Sequence, residues 1–196
     1  MAKQNKNNRP SEVRIIAGQW RGRKISFTEV DGLRPTSDRI RETLFNWLQE
    51  DVGQSSCLDL FAGSGALGFE AASRGAESVS LVEANRGVVK QLEATSQQLN
   101  AASCQIHNIS AIDFLDNATQ QYDIVFIDPP YIAAMWSQIA EKMVEKAILS
   151  DNAYVYLEYP SNIDLPVLPT HWRLIKDKKA GAVRYCLFQN NNEEQM

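Results

Sequence analysis

From Ser56 to Phe188 the chain alternates short apolar runs rich in β-formers with amphipathic helical stretches. That order restricts the fold sharply, because strand, helix, strand, helix builds a parallel sheet covered by helices on both faces. The expected strands are Cys57 to Leu60, Ser78 to Glu83, Cys104 to Asn108, Tyr122 to Ile127, Ala153 to Glu158, Trp172 to Lys176 and Val183 to Phe188. Between them, Val88, Leu92, Thr95 and Leu99 share one face of a helix starting near Arg86. Ile139, Met143, Val144, Ala147 and Ile148 do the same later, and both stripes read as core packing. The last two strands are joined by Asp177 to Gly181, too few residues for a helical crossover and enough for an antiparallel hairpin. The expected fold is therefore α/β, with a mixed seven-stranded sheet.

The 196 residues are 44% hydrophobic, enough for one domain with a real core and too few for a second large one. Apolar runs such as Ile124 to Ile127 are far too short to span a membrane. The polar start, Met1 to Arg14, lacks a secretory signal pattern, so a cytoplasmic location is expected. Cys57, Cys104 and Cys186 are far apart and odd in number, which suggests neither a disulfide framework nor a metal site. His107 and His171 sit in no motif and read as structural.

Charge divides the chain. Residues 1–41 hold ten Lys/Arg against four Asp/Glu, whereas the rest holds ten against twenty. A cationic end on an acidic body suits either a solvated tail or an arm that binds a polyanion. Arg14 to Ile25 reads as strand-like runs around a Gly-containing turn. Gly32 to Leu48 reads as a helix capped by Thr36 or Ser37, with Asp38 in its first turn and Ile40, Leu44, Phe45 and Leu48 as its buried stripe. Its arginines are expected to point away from the body. The division is thus 1–50, a basic extension; 51–190, the α/β domain; and 191–196, a disordered tail.

Cys57 to Glu70 is a strand, a glycine-rich turn and a helix start, the form of a loop whose backbone N–H groups meet a cofactor. Gly63, Gly65 and Gly68 satisfy GxGxxG, and Glu83 ends the next strand 20 residues after Gly63, which by itself allows NAD. Asp59, just before the glycines, would repel a pyrophosphate and favours an adenosine ligand bearing a cationic or amino group, as S-adenosylmethionine does. A second motif, Asp128-Pro129-Pro130-Tyr131, comes after the fourth strand at the sheet edge where open α/β folds bind ligands. Two prolines remove two N–H donors and stiffen an extended backbone, Asp128 adds an acceptor and Tyr131 a flat ring. Together they suit a planar exocyclic amine on a base.

The first loop resembles motif I of the seven-stranded Rossmann-like methyltransferases, and the second is similar to the (D/N)PP(Y/F) motif of amino-methyltransferases. In order and spacing, Arg14 to Ile25, Gly32 to Leu48, Asp59 to Gly75, Asp128 to Tyr131 and Lys179 to Phe188 resemble the bacterial 16S rRNA guanine-N2 methyltransferase family of the RsmD type. The resemblance implies S-adenosylmethionine as cofactor, with Asp59, Phe61, Ala62, Gly63, Ser64 and Gly65 around its methionine part and Glu83 on its ribose. It puts Ser110 and Ala111 beside the adenine, where the family often has an acidic residue and this chain has Asp113 two positions on. Asp128, Pro129, Pro130 and Tyr131 become the catalytic run. The implied partner is 16S rRNA within the assembling small subunit, its phosphates met by Arg21, Arg23, Lys24, Arg34, Arg39 and Arg41. Three rivals remain at this level: a nicotinamide dehydrogenase, an adenine-N6 DNA methyltransferase and a non-catalytic assembly factor.

Overall fold

The protein is described by a computed structural model over residues 11–27, 37–130 and 135–191. Its elements in chain order are β1 (Ser11–Arg14), β2 (Lys24–Phe27), α1 (Asp38–Trp47), β3 (Ser56–Asp59), α2 (Ala66–Ser73), β4 (Ser78–Val82) and α3 (Arg86–Leu99). They continue with β5 (Cys104–His107), α4 (Ala111–Asn117), β6 (Tyr122–Ile127), α5 (Trp136–Glu145), β7 (Leu149–Pro160), β8 (Trp172–Ala180) and β9 (Val183–Asn190). Seven strands form one sheet in the order β5-β4-β3-β6-β7-β9-β8. The first five are parallel, and β9 runs antiparallel to both its neighbours. This is the mixed α/β sheet expected from the strand pattern, closed at one edge by a hairpin.

The sheet separates two apolar layers. On one face α1, α2 and α3 bury Leu44, Phe45, Phe69, Ala71 and Leu92 against Cys57, Val79, Leu81, Phe126 and Tyr156. On the other, α4 and α5 bury Phe114, Leu115, Trp136, Ile139 and Met143 against Leu58, Val125, Ile127 and Leu157. Helix α2 is buried at every position. Its Gly68 permits this, because a Cβ there would run into the side chain of Leu81 on β4.

The N-terminal segment belongs to this core. Strands β1 and β2 pair antiparallel from Ser11↔Phe27 to Arg14↔Lys24, and Ile15, Trp20 and Ile25 lie in the same cluster as α1 and α2. The turn between them is fastened to the end of α2: Gln19 N donates to the Ser73 carbonyl at 2.8 Å and Trp20 N to Ser73 Oγ at 3.0 Å. Gly18 has φ +80, and a Cβ on it would overlap the Ser73 carbonyl, so this close approach requires glycine. A division at residue 50 would cut through that cluster.

Several local expectations are corrected. Ala147 has φ 51 and lies beyond α5, and Val144 is 43% exposed, so neither they nor Ile148 extend that helix's buried stripe. Residues 177–180 are strand, and the last hairpin turns on Gly181 and Ala182 alone. β7 starts at Leu149, four residues before the expected Ala153, with an irregular register below Ile124. Residues 192–196 of the expected tail lie outside the described residues. All three cysteines are unbridged, and burial pushes each thiol up to about 12.

Candidate active site

Three neighbouring parallel strands, β4, β3 and β6, end side by side, and the loops that leave their carboxyl ends form the site. After β3, Gly63 and Gly65 adopt left-handed φ of 50 and 78, which folds the loop tightly enough for Gly65 N to donate to the Ala62 carbonyl at 2.7 Å. Ala62 N donates to the Val82 carbonyl at 2.9 Å, tying the loop to β4. Gly65 caps α2 without a side-chain bond, so the helix's first N–H groups need other acceptors. Asp59 supplies one, its Oδ2 accepting from Gly68 N at 3.1 Å. It is 3% exposed, and burial raises its pKa to about 7 against the opposing pull of the Gly68 and Phe61 N–H groups.

Glu83, half-buried just past β4, accepts from Gly63 N at 3.1 Å and from Asn85 N at 2.7 Å. Each oxygen thus holds one backbone donor and keeps further acceptor capacity. Asn85 caps α3 through bonds from Gly87 N and Val88 N, and Asn108 Nδ2 donates to the carbonyls of Glu83 and Ala84. Of the expected cofactor residues, Asp59, Phe61, Ala62, Gly63, Ser64, Gly65 and Glu83 are brought together at the ends of β3 and β4, with Asp59, Ala62, Gly63 and Gly65 buried and Phe61, Ser64 and Glu83 half-buried. Asn85 and Asn108, which buttress Glu83, are not expected from the sequence, although an Asn directly before a helical stripe is a cap signal for the first of them. Ser110 caps α4, accepting from Asp113 N at 3.1 Å and bonding Asp113 Oδ2 at 2.6 Å, with Ala111 buried behind it. Nearby His107 stacks edge-on against Phe114 with its Nε2 buried and unbonded, and burial lowers its pKa.

After β6, Asp128 is half-buried, Pro129 buried and Pro130 exposed. Tyr131 lies outside the described residues. The pairing of β6 with β7 ends at Ile127↔Leu157, which leaves Asp128 and Glu158 as the next residues of adjacent strands. Glu158 is 4% exposed, accepts from the Tyr156 hydroxyl at 2.8 Å, and receives Trp136 Nε1 on its carbonyl at 2.8 Å. Burial, then the charges of Glu158 and Asp128, hold the Tyr156 hydroxyl well above its ordinary pKa. Nothing in the local sequence marks Glu158, since its position comes from strand pairing.

The turn that carries Arg21, Arg23 and Lys24 adjoins the first turn of α1, where Arg14, Arg21 and Gly22 line one cleft with Asp38 and Glu42. Arg21, Arg23 and Lys24 are exposed, but the turn carrying them is bonded to Ser73, and Arg23 Nη2 reaches the Gln98 carbonyl. Both contacts are at the far ends of α2 and α3, at the amino edge of the sheet, opposite Asp128. Lys24 is also paired with Glu12 at 2.6 Å. Arg39 is exposed in the first turn of α1, and Arg34 lies outside the described residues. Arg41 is a correction: it is fully buried, bonded to Asp38 at 2.7 Å and to the Arg14 carbonyl at 2.9 Å, and 3.6 Å from Glu70. Glu70, also fully buried, binds Ile16 N, Ala17 N and Arg74 as well. Arg41 therefore locks the extension to α2 and cannot meet a phosphate.

Comparison with known proteins agrees with this geometry. The family model described as Conserved hypothetical protein 95 matches residues 13–189. Ribosomal RNA small subunit methyltransferase D of Haemophilus influenzae is 45% identical over 187 residues, covering 93% of this chain and 96% of that protein. The protein of the same description from Escherichia coli K12 is 43% identical over 178 residues, covering 91% and 90%. A solved structure described as a putative methyltransferase, yhhF, from Escherichia coli superposes with a TM-score of 0.86 at 40% identity, covering 93% of this chain and all of that one.

Proposed function

Because this chain belongs to the conserved hypothetical protein 95 family, that of the small-subunit ribosomal RNA methyltransferases D, we propose that it methylates the exocyclic N2 of a guanine in 16S rRNA. The observation that carries the reading is the alignment of three features on one sheet edge: Glu83 after β4, the glycine loop after β3 and Asp128-Pro129 after β6. The residues fit S-adenosylmethionine. Glu83 has acceptor capacity for two ribose hydroxyls, the loop N–H groups and bent glycine backbone allow close approach, and Asp59 puts a carboxyl beneath a cationic ligand. A pyrophosphate would meet that same carboxyl unfavourably, which weighs against a nicotinamide cofactor.

When bound, S-adenosylmethionine supplies an electrophilic methyl group. The chain's own part is positional. The Asp128 carboxylate and the Pro129 carbonyl accept hydrogen bonds from the two N–H groups of the amine and fix its nitrogen for attack. Asp128 also stabilises the positive charge that arrives on nitrogen, then holds the proton the amine loses. The target base has to leave its stack to reach this edge, and Tyr131 gives it a replacement ring. Arg21, Arg23, Lys24, Arg34 and Arg39 are the extension's contacts to RNA phosphates. The substrate is the assembling small subunit, and the protein works in the cytoplasm where that particle is made.

The test is methyl transfer from labelled S-adenosylmethionine to unmethylated small subunits, with nucleoside analysis of the product and naked 16S rRNA and DNA alongside. N2-methylguanosine is the expected product. N6-methyladenosine would transfer the assignment to adenine, and bound cofactor with no transfer to any acceptor would leave an assembly factor.

A further inference from the structure

Resting on the RNA reading above, we propose that the C-terminal hairpin is a second RNA-binding wall, on which Lys176 and Lys178, side by side on one face of β8, hold phosphates flanking the target base. The need for such a wall arises from the placement of the extension: the tip carrying Arg21 and Arg23 is bonded to the far ends of α2 and α3. Helix α2 alone separates that tip from the reactive edge by about 12 Å. Phosphates that run from a base at Asp128 toward β9 and β8, away from the side covered by α2 and α3, therefore require cations from elsewhere.

Strand pairing brings them there. Lys178 pairs with Tyr185, and Tyr185 with Glu158, the neighbour of Asp128. Lys178 is thus three strand spacings, about 15 Å, from Asp128 along one row of the sheet. The hairpin turn at Gly181 and Ala182 points toward the same edge, since Val183 pairs with Pro160 at the carboxyl end of β7. Lys176 and Lys178 are exposed, and Lys179 is exposed on the other face of the strand. The acid among them, Asp177, is satisfied by Arg184, whose Nε donates to it at 2.9 Å, so the lysine charges are not spent within the hairpin. Lys176 and Lys178 share a face with Leu187 and Tyr185, and the Lys178 ammonium sits 5.8 Å from the centre of the Trp47 ring, itself stacked 5.5 Å from Tyr185. A cationic row on an aromatic floor, in a molecule of net charge -4, is complementary to a polyanion with bases.

β8 is also an edge strand, where lysines can serve only to block pairing with another chain. The two roles separate experimentally. Full-length protein with Lys176 and Lys178 both changed to Gln is compared with the double Arg variant and with Lys146→Gln, a lysine on the opposite layer of the sheet. RNA affinity is read by salt titration against 16S rRNA, beside KM for unmethylated subunits and cofactor affinity. The Gln double variant is expected to bind RNA about tenfold more weakly and to lower the salt slope by about two. Its KM rises, cofactor affinity holds, and the Arg double variant recovers. Unchanged RNA affinity and slope overturn the proposal, and aggregation of the Gln double variant with unchanged affinity assigns the lysines to edge protection. Binding is read apart from turnover: wild type that binds RNA in a lysine-dependent manner yet methylates none of it sinks the proposed activity and keeps the wall. Wild type that does not bind RNA sinks both.

Discussion

Asp59 and Asp128 end adjacent strands, and their surroundings give them different work. Asp59 is sealed beneath the loop, bonded to Gly68 N, while Asp128 is half-buried at the edge. Replacing Asp128 by Ala is expected to reduce methyl transfer by at least about a hundredfold while calorimetric cofactor affinity stays within about twofold; a comparable loss of affinity would show that Asp128 serves the cofactor. Asp59 makes a pH prediction. Its pKa is raised from 3.8 to about 7 in the folded chain, so between those values the folded state binds more protons than the unfolded. Its contribution is therefore fully present below about pH 4 and is lost as pH rises toward 7. Asp116 and Asp177, whose pKa values are lowered by Lys142 and Arg184, contribute in the opposite sense, losing stability as pH falls below about 4. Denaturant titrations of wild type and Asp59→Asn should accordingly differ most in slope across about pH 4 to 7, and parallel curves there would contradict the assignment. Arg41 shows what the residue pattern hides. Within α1 it reads as an outward arginine, and only Glu70, 29 positions on and itself buried, makes it an interior residue.

At the scale of elements, legibility depends on the source of the constraint. β6 is legible to its boundaries because five of its six residues are buried and Ile124 to Ile127 is an unbroken apolar run. α1 is legible with its cap because Ser37, accepting from Ile40 N, and the stripe Ile40, Leu44 and Phe45 are local signals. β8 reads too short because lysine and aspartate occupy its second half and only pairing with β9 keeps it extended. The early part of β7 gives no strand signal because Ser150, Asp151 and Asn152 are polar and Asn152 has φ 59. The glycine loop is legible in sequence order, but the function of Gly68 is not, since it depends on the distance between α2 and β4. Gly68→Ala is expected to lower stability by about 1–2 kcal/mol, the crowding against Leu81 exceeding the helix-propensity gain of alanine. A thermal melt checks this, and an unchanged or higher midpoint would mean that Leu81 yields without loss.

Across the whole molecule, the cationic start of the chain is a structural part before it is a binding arm. Deleting residues 1–27 would remove Ile15, Trp20 and Ile25 from the main cluster and strip Glu70 of two backbone donors and Arg41 of the Arg14 carbonyl. The truncated protein is expected to lose cooperative unfolding or solubility, as judged by circular dichroism melts, rather than to remain a folded enzyme with weaker RNA affinity. A truncated form that melts like the full chain would separate the extension from the core. The charge division visible in the sequence therefore becomes two basic regions at different edges, with Arg21 and Arg23 at one and the C-terminal lysines at the other. The thiols, two buried and one half-buried, have a practical side. With Cys57, Cys104 and Cys186 all held near a pKa of about 12, almost none is thiolate at neutral pH. Maleimide chemistry is therefore expected to favour one cysteine introduced at the exposed hairpin turn over the native thiols.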